Sequence, residues 1–280
     1  MVIVVESGST KTEWLVGFNV NDCKLIRTSG INPYYQESEE IRAVIDSELT
    51  IDINKELVYN VFYYGAGCAN AQKNNVIETA IRSVINIGRI EVASDMLGAC
   101  RGLAGNNPGI VCILGTGSNS CYYDGQRIID NVSPLGFILG DEGSGANLGK
   151  RLVADCLKRQ LPSDLTEMFF QRFQTSPSEI IEAVYRQPFP NRYLAGMSRF
   201  LAENIHRQEC RRIVSESFRS FFERNVSLYN LDRDEIEVNF VGSVAFHYKD
   251  ILKQEAERAG FRLGRVLQSP LKGMMEYHTR

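Results

Sequence analysis

The sequence is poor in the residues that most often mark a metal-binding or nucleic-acid-binding protein. Its 280 residues include three histidines, and its seven cysteines (Cys23, Cys68, Cys100, Cys112, Cys121, Cys156 and Cys210) form no Cys-x-x-Cys pair. No zinc-ligand spacing is therefore present. The cysteines are odd in number and mostly lie in apolar runs, where they read as small buried hydrophobes in a reducing compartment. A formal net charge of −3 offers no basic face to nucleic acid. The one dense basic cluster, His206, Arg207, Arg211 and Arg212, lies in helical sequence and reads as a solvated helix face. Long apolar runs are missing too. Met1–Val5 is cut by Glu6, too soon for a signal peptide or a membrane span. The expectation is a cytoplasmic globular protein with neither a nucleic-acid nor a membrane partner. Hydrophobic content of 44% and charged content of 23% are ordinary for that class, and the length suits one large or two ordinary domains.

What the sequence does have is a doubled strand–turn–strand motif. Val2-Ile3-Val4-Val5 leads into ESGSTKTE (Glu6–Glu13), after which Trp14, Val16 and Phe18 alternate. Ile110–Leu114 leads into GTGSNS (Gly115–Ser120), followed by Cys121, Tyr122 and Tyr123. A turn of small residues leaves backbone N–H groups bare and lets an anion come close, so two such hairpins could hold a polyphosphate. ESGSTKTE is not a Walker loop: it lacks the first glycine of that motif, and a strand follows it instead of a helix. Taken alone, each hairpin is equally well a surface turn.

Along the chain, a third strand is expected at Lys24–Thr28 and a helix from Ser38, its N-cap, through Ile41, Val44, Ile45 and Leu49. Leu57–Tyr63 reads as a strand, Asn75–Ile87 as a helix, Ile90–Ala93 as a strand, and Met96–Leu103 as a helix. Asn106-Asn107-Pro108-Gly109 punctuates the chain, and the order then repeats. Strands at Ile110–Leu114, Ser118–Tyr123 and Arg127–Val132 precede a loop, Ser133–Gly149, with five glycines. Residues from about Asp141 to Leu231 are largely helical in pattern, and the Phe218, Phe221 and Phe222 stripe reads as core. A strand at Ile236–Val241, a helix at Val244–Ala259, a strand at Arg262–Val266 and a last helix from Pro270 complete the second half. Each half is three meandering strands, then helix, strand, helix, strand, which makes a topological repeat of α/β domains with a cleft expected between them.

Several polar residues stand where such domains place ligands, beyond the carboxyl ends of strands. Asp95 follows a strand and opens a helix; it is either a proton acceptor or part of a Ser94-Asp95 cap. Gly140-Asp141-Glu142-Gly143-Ser144-Gly145 sets two acids among more glycines than a helix start needs. Gly242-Ser243-Val244-Ala245 is either a seat for a flat ring or a tight strand-to-helix turn. Asn32, in GINP, is a ligand contact or a turn residue.

Together, ESGSTKTEW, the GINP loop, Ser94-Asp95, ILGTGSNS, LGDEGSG and VGSVA resemble the actin/Hsp70/sugar-kinase superfamily. Within it the chain is similar to the N-acetylglucosamine kinase and BadF/BadG-type ATPase group. The resemblance runs along the whole chain and implies two ribonuclease H-like α/β domains. An N-terminal actin-like domain would span 1–107. A C-terminal one would span 108–280, with a helical insertion at about 141–231 and the last helix a candidate to return to the first domain. It further implies ATP and Mg²⁺ as cofactors, with Gly8, Ser9, Thr10 and Lys11 as the first phosphate loop and Gly115, Thr116 and Gly117 as the second. Gly242, Ser243 and Ala245 would take the adenosine, and Asp95 would be the base for the sugar hydroxyl. Asn32, Ser118, Asn119, Asp141 and Gly145 would bind the amino sugar. A homodimer is the default assembly. Glu6 stands where the resemblance implies aspartate. Its extra methylene shifts the carboxylate by about one bond length, and Mg²⁺ is strict about geometry, so a contact through water is expected. Two other readings share these motifs: an ATPase that activates a CoA-ester dehydratase or reductase through an iron–sulfur cluster, and a non-catalytic sugar or nucleotide sensor.

Overall fold

The computed structural model describes residues 1–8, 11–50, 52–233 and 235–280. The chain divides into two compact units. One comprises Met1–Asn107, Gly125–Arg127 and Ser269–Arg280; the other comprises Pro108–Asp124 and Ile128–Gln268.

Among the described residues the first unit runs β1 (Val2–Ser7), β2 (Lys11–Asn19), β3 (Asp22–Ser29), α1 (Ser38–Val44), a π-turn (Ile45–Leu49), β4 (Tyr59–Gly65), α2 (Ala71–Arg82), β5 (Ile87–Ser94) and α3 (Asp95–Leu103). The second runs β6 (Gly109–Leu114), β7 (Ser118–Tyr123) and β8 (Ile128–Asp130). The helices α4 (Gly136–Leu139), α5 (Gly145–Leu157), α6 (Ser163–Phe173), α7 (Pro177–Tyr185), α8 (Pro190–Met197), α9 (Arg199–Glu203) and α10 (Gln208–Arg224) follow. It closes with β9 (Glu237–Val241), α11 (Ser243–His247), α12 (Lys249–Arg258) and β10 (Arg262–Leu267). The last helix, α13 (Leu271–Thr279), lies in the first unit. Each unit holds a five-stranded mixed sheet among its described residues. The orders are β3-β2-β1-β4-β5 and β8-β7-β6-β9-β10, the same topology twice.

The Val2–Val5 run of β1 is apolar because both faces of the strand are covered there. Ile3 and Val5 pack with Trp14, Tyr63, Ile77 and Ile81 on one side. Val4 packs with Leu15, Phe62 and Tyr64 against Leu271, Met274 and Met275 of α13 on the other. In the second unit Phe218, Phe221 and Phe222 are fully buried beside Phe240 of β9. The basic cluster is a surface face: Arg207 pairs with Asp164, Arg212 with Asp155 and Glu216, and Arg211 bonds Gln254. No described helix is long and apolar enough to cross a membrane.

Several boundaries differ from the sequence pattern. α2 starts at Ala71, where Asn70 caps it by accepting from Lys73 N, and stops at Arg82. Ile87 instead begins β5, paired with Tyr59; sheet pairing outweighs a helical spacing that Val84 and Ile85 continue only by chance of burial. Glu37, not Ser38, caps α1, and its N–H donates to Glu40 Oε2 at 2.8 Å. α5 begins at Gly145, inside the stretch expected to be loop. The helix expected over Val244–Ala259 is broken at Tyr248, whose hydroxyl donates to Ser198 O at 3.0 Å.

α13 is held to its sheet at both ends. Near its C-terminus His278 stacks on Phe62, with ring centroids 3.6 Å apart, and its Nε2 lies 2.7 Å from the Tyr64 hydroxyl. Burial first, then Arg101 and Arg89, push the imidazole down to about 3, so it is neutral. At the other end α13 crosses α3 at a glycine pair. A Cβ on Gly273 would sit 1.9 Å from Gly102 O, and one on Gly102 would sit 2.7 Å from Pro270. Replacing Gly273 with Ala gains about 1 kcal/mol of helix propensity, but overpacking against a backbone carbonyl that no rotamer can escape costs more. The expected net loss is about 2 kcal/mol in urea unfolding. Lys272→Ala, beside it on the exposed face, should stay within about 0.5 kcal/mol of wild type.

Candidate active site

In the first unit the parallel strands β1, β4 and β5 end level with one another. Ser7 pairs with Gly65, and Gly65 with Ser94. Immediately past this row come Gly8, the Ala66–Gly67 turn and Asp95, where the α/β architecture puts its ligands. Ser94 is the N-cap of α3, accepting from Leu97 N at 3.2 Å, so Asp95 is the first helical residue and not the cap. Its Oδ1 accepts from Met96 N at 2.8 Å. Burial raises its pKa above the ordinary carboxylate value, against the pull of the Met96 and Asp95 N–H groups.

Glu6 is the penultimate residue of β1, and its Oε2 accepts from Ser269 Oγ at 2.8 Å. Burial pushes it up to about 7. The Ser269 hydroxyl and Lys11 oppose that rise, while Glu13 and Asp95 add to it. Lys11 Nζ lies 3.0 Å from Glu13 Oε2, and Arg27 Nε lies 2.8 Å from Glu13 Oε1. Burial alone would raise Glu13, but these two cations carry it below the ordinary value. Gly8 N donates to Lys11 O at 3.0 Å across the hairpin. Gly8 keeps an ordinary backbone, and a Cβ there would meet only Lys11 O, at 3.7 Å; nothing among the described residues requires glycine. Ser9 and Thr10 lie outside the described residues.

Ser7 and Thr12, which the sequence pattern did not single out, tie the hairpin to the GINP loop. Their hydroxyls are 2.7 Å apart; Ser7 Oγ donates to Ile31 O, and Ile31 N donates to Thr12 Oγ1. The signal was available, since both hydroxyls take the inward positions of apolar strands. Asn32 is buried and makes a turn, its Oδ1 accepting from Tyr34 N at 3.0 Å. Gly67, at φ +88°, brings backbone against it, for a Cβ would lie 2.5 Å from Asn32 Oδ1.

In the second unit Gly115-Thr116-Gly117 joins β6 to β7, with Gly115 N donating to Gly117 O at 2.9 Å. The loop docks on the start of α5: Gly145 N donates to Gly115 O and Ala146 N to Thr116 O. Gly145 therefore spends its N–H on the loop, and its lack of a side chain spares contacts of 3.2 Å with Ala195 and 3.3 Å with Gly115 O. Gly115 itself has nothing within 4 Å of a would-be Cβ among the described residues. Asp141 adopts a left-handed backbone at φ +54°, costly for a residue with a side chain. Its carboxylate lies against Gly117, and Oδ1 accepts from Ser118 N at 3.3 Å. Burial raises its pKa. Glu142, by contrast, is paired with Arg224 at 2.6 Å.

Gly117, Ser118, Asp141 and Gly145 thus come together. Asn119 does not join them: it follows Ser118 on β7, so it faces the opposite side, and its Oδ1 accepts from Asn131 Nδ2. Gly242, at φ +117°, abuts the end of β6, where a Cβ would meet Leu114 O at 2.3 Å. Ser243 is exposed. Ala245 is fully buried in the core, so its methyl presents nothing to a ligand.

The same five-stranded order built twice, with a small-residue hairpin at the head of each sheet, defines a protein of the actin/Hsp70/sugar-kinase superfamily. No family model matches the chain. Among solved structures, a candidate N-acetylglucosamine kinase of Porphyromonas gingivalis is 46% identical, with 100% of this chain and 99% of that one covered and a TM-score of 0.95. A candidate N-acetylglucosamine kinase of Chromobacterium violaceum shares the fold at 16% identity and TM-score 0.71, covering 99% and 98%. An N-acetylmuramic acid/N-acetylglucosamine kinase of Clostridium acetobutylicum is 24% identical over 241 residues, 79% of this chain and 76% of its own. The chain belongs to the N-acetylglucosamine kinase-like, BadF/BadG-type family of that superfamily.

The raised pKa of Glu6 has a sign that can be tested. A carboxylate held at about 7 in the fold contributes stability that is fully present below its unfolded value and is lost as pH rises through 7. In metal-free buffer, Glu6→Gln should unfold at a free energy about 2 kcal/mol above wild type at pH 8. That gap should close by pH 5, as read from urea titrations.

Proposed function

We propose that this protein is an ATP- and Mg²⁺-dependent kinase that phosphorylates the 6-hydroxyl of N-acetylglucosamine or a closely related amino sugar. The observation that carries the reading is Asp95: a carboxylate just past the aligned ends of β1, β4 and β5, raised in pKa by burial, with no ion pair among the described residues. A base of that kind suits a sugar alcohol, whose proton it must receive as phosphorus is attacked. Met96 N–H holds Oδ1, which leaves Oδ2 for the proton. The sugar oxygen forms its bond to the γ-phosphorus as the bond to the ADP oxygen breaks, and the proton passes from Asp95 to solvent.

In this reading the turns at Gly8 to Lys11 and Gly115 to Gly117 contact the phosphates through the backbone N–H groups that the hairpins do not use, since Gly8 N and Gly115 N already donate to Lys11 O and Gly117 O. Glycines that folding itself does not require at 8 and 115 support it. Gly242 and Ser243 contact the adenosine through backbone. Asn32, Ser118 and Asp141 orient the sugar. The strained backbone at Asp141 supports a ligand role, since such strain clusters at functional positions. Phosphoryl transfer asks the protein for little beyond positioning and charge neutralisation.

The donor set fits Mg²⁺. That ion takes one or two carboxylates and completes its shell with water and substrate phosphates. No cluster of three protein ligands exists among the described residues, and Glu6 Oε1 takes no hydrogen bond among them, with Asp95 close enough to raise the Glu6 pKa. Mg²⁺ brought with ATP would offset phosphate charge there. The cluster-bearing activator is less well supported: Cys68, Cys100 and Cys121 are all buried, whereas a cluster shared between subunits needs surface thiols. ATP as donor agrees with a cytoplasmic protein.

Asp95→Asn should bind a non-hydrolysable ATP analogue within about threefold of wild type, while sugar-dependent ADP release falls roughly 10³-fold. A coupled assay over N-acetylglucosamine, N-acetylmannosamine, N-acetylmuramic acid and glucosamine identifies the acceptor. Near-normal turnover of the variant on the preferred sugar rejects the assignment.

A further inference from the structure

Glu6 carries one more methylene than the aspartate expected at the end of the first strand, so its carboxylate reaches about 1.5 Å further and has one more torsion to fix. A carboxylate left to swing would place a metal-bound water poorly. The structure holds it from the far end of the chain. Ser269 Oγ donates to Glu6 Oε2 at 2.8 Å, and the same hydroxyl accepts from Leu271 N at 3.3 Å, which orients it. Ser269 immediately precedes Pro270, the N-cap of α13. The ring of Pro270 and the backbone of Gly273 rest against Gly102 of α3 so closely that neither glycine has room for a methyl. α3 is the helix that begins at Asp95. One rigid crossing of two helices therefore sets both the position of Asp95 and the donor that fixes Glu6.

From this geometry we infer that Ser269 is a positioning residue, compensating for the longer side chain of Glu6 by fixing one carboxylate oxygen and leaving Oε1 toward Mg²⁺·nucleotide. The inference rests on the phosphotransfer reading above and adds to it a residue remote in sequence from every motif. Sequence alone gives Ser269 no distinction, because it lies in an ordinary Ser-Pro helix start.

The test is a Mg²⁺ titration of non-hydrolysable ATP analogue binding, followed by calorimetry, with urea unfolding as a check on folding. In Ser269→Ala the Mg²⁺ concentration giving half of the full effect should rise about tenfold, while binding of the analogue in EDTA stays within twofold. Ser269→Thr, which keeps the hydroxyl, should restore the midpoint to within about threefold. In a Glu6→Asp background the shorter side chain no longer needs the clamp, and adding Ser269→Ala should move the midpoint less than twofold. Should the alanine variant not fold, Ser269→Cys, of similar volume but a weak donor, carries the same comparison. A wild-type midpoint in Ser269→Ala overturns the proposal, and so does an equal tenfold shift in both backgrounds. If wild type itself binds the analogue identically with and without Mg²⁺, the kinase reading falls and this proposal falls with it. A normal Mg²⁺ response in wild type with no shift in the variant removes this proposal alone.

Discussion

The structure of the first unit depends on parallel pairing of β1 with β4 and of β4 with β5, which sets Ser7, Gly65 and Ser94 side by side. Parallel strands must be joined by crossovers, so each strand end is free to turn into a different element. The first becomes the Gly8 hairpin, the second the Ala66–Gly67 turn, and the third the first turn of α3. Three segments far apart in sequence thereby meet at one edge. The hydrophobic run of β1 suits this central place, because a parallel strand covered on both faces buries consecutive side chains. α13 supplies one of those covers.

Charge sorts Glu6, Glu13, Glu91, Asp95, Asp141, Glu142 and Glu255, all wholly or partly withdrawn from solvent, into two kinds. Glu13, Glu91, Glu142 and Glu255 are each paired with arginine, and they brace the fold. Glu6, Asp95 and Asp141 have no ion pair among the described residues and are held by neutral donors, a serine hydroxyl or a backbone N–H. Burial raises all three. An acid kept from cations within its own chain costs stability, and the cost is consistent with a site whose counter-charge arrives with the ligand.

The glycines divide in a similar way. Gly102, Gly273 and Gly242 are demanded by the fold, since a methyl at any of them would meet backbone at 2.7 Å or less. Gly67 and Gly143 take positive φ. Gly8 and Gly115, the first glycines of the two hairpins, have neither reason among the described residues. Gly196 of α8 is equally open, so it is the place of Gly8 and Gly115 at the strand ends, together with their lack of steric demand, that sets them apart.

Most of the fold was legible in the residues themselves. Apolar periodicity and turn chemistry are local, so the repeated order of three strands, helix, strand, helix, strand could be read, as could the α/β class and the glycine-rich hairpins. Asp95 was legible because it follows a strand and opens a helix. Boundaries were less so: Ile87 fits a helix face as well as a strand, and only pairing with Tyr59 decided between them. The candidate site was legible in part. Ser118 and Asn119 are equivalent as letters, but strand alternation turns them to opposite faces, and Ala245 looks like a ligand-facing small residue until packing buries it. Local sequence thus determined which elements form and which turns stay bare. Tertiary structure alone decided that Ser269 reaches Glu6 across the length of the chain, because a contact set by how two helices cross leaves no mark on the residues beside either partner.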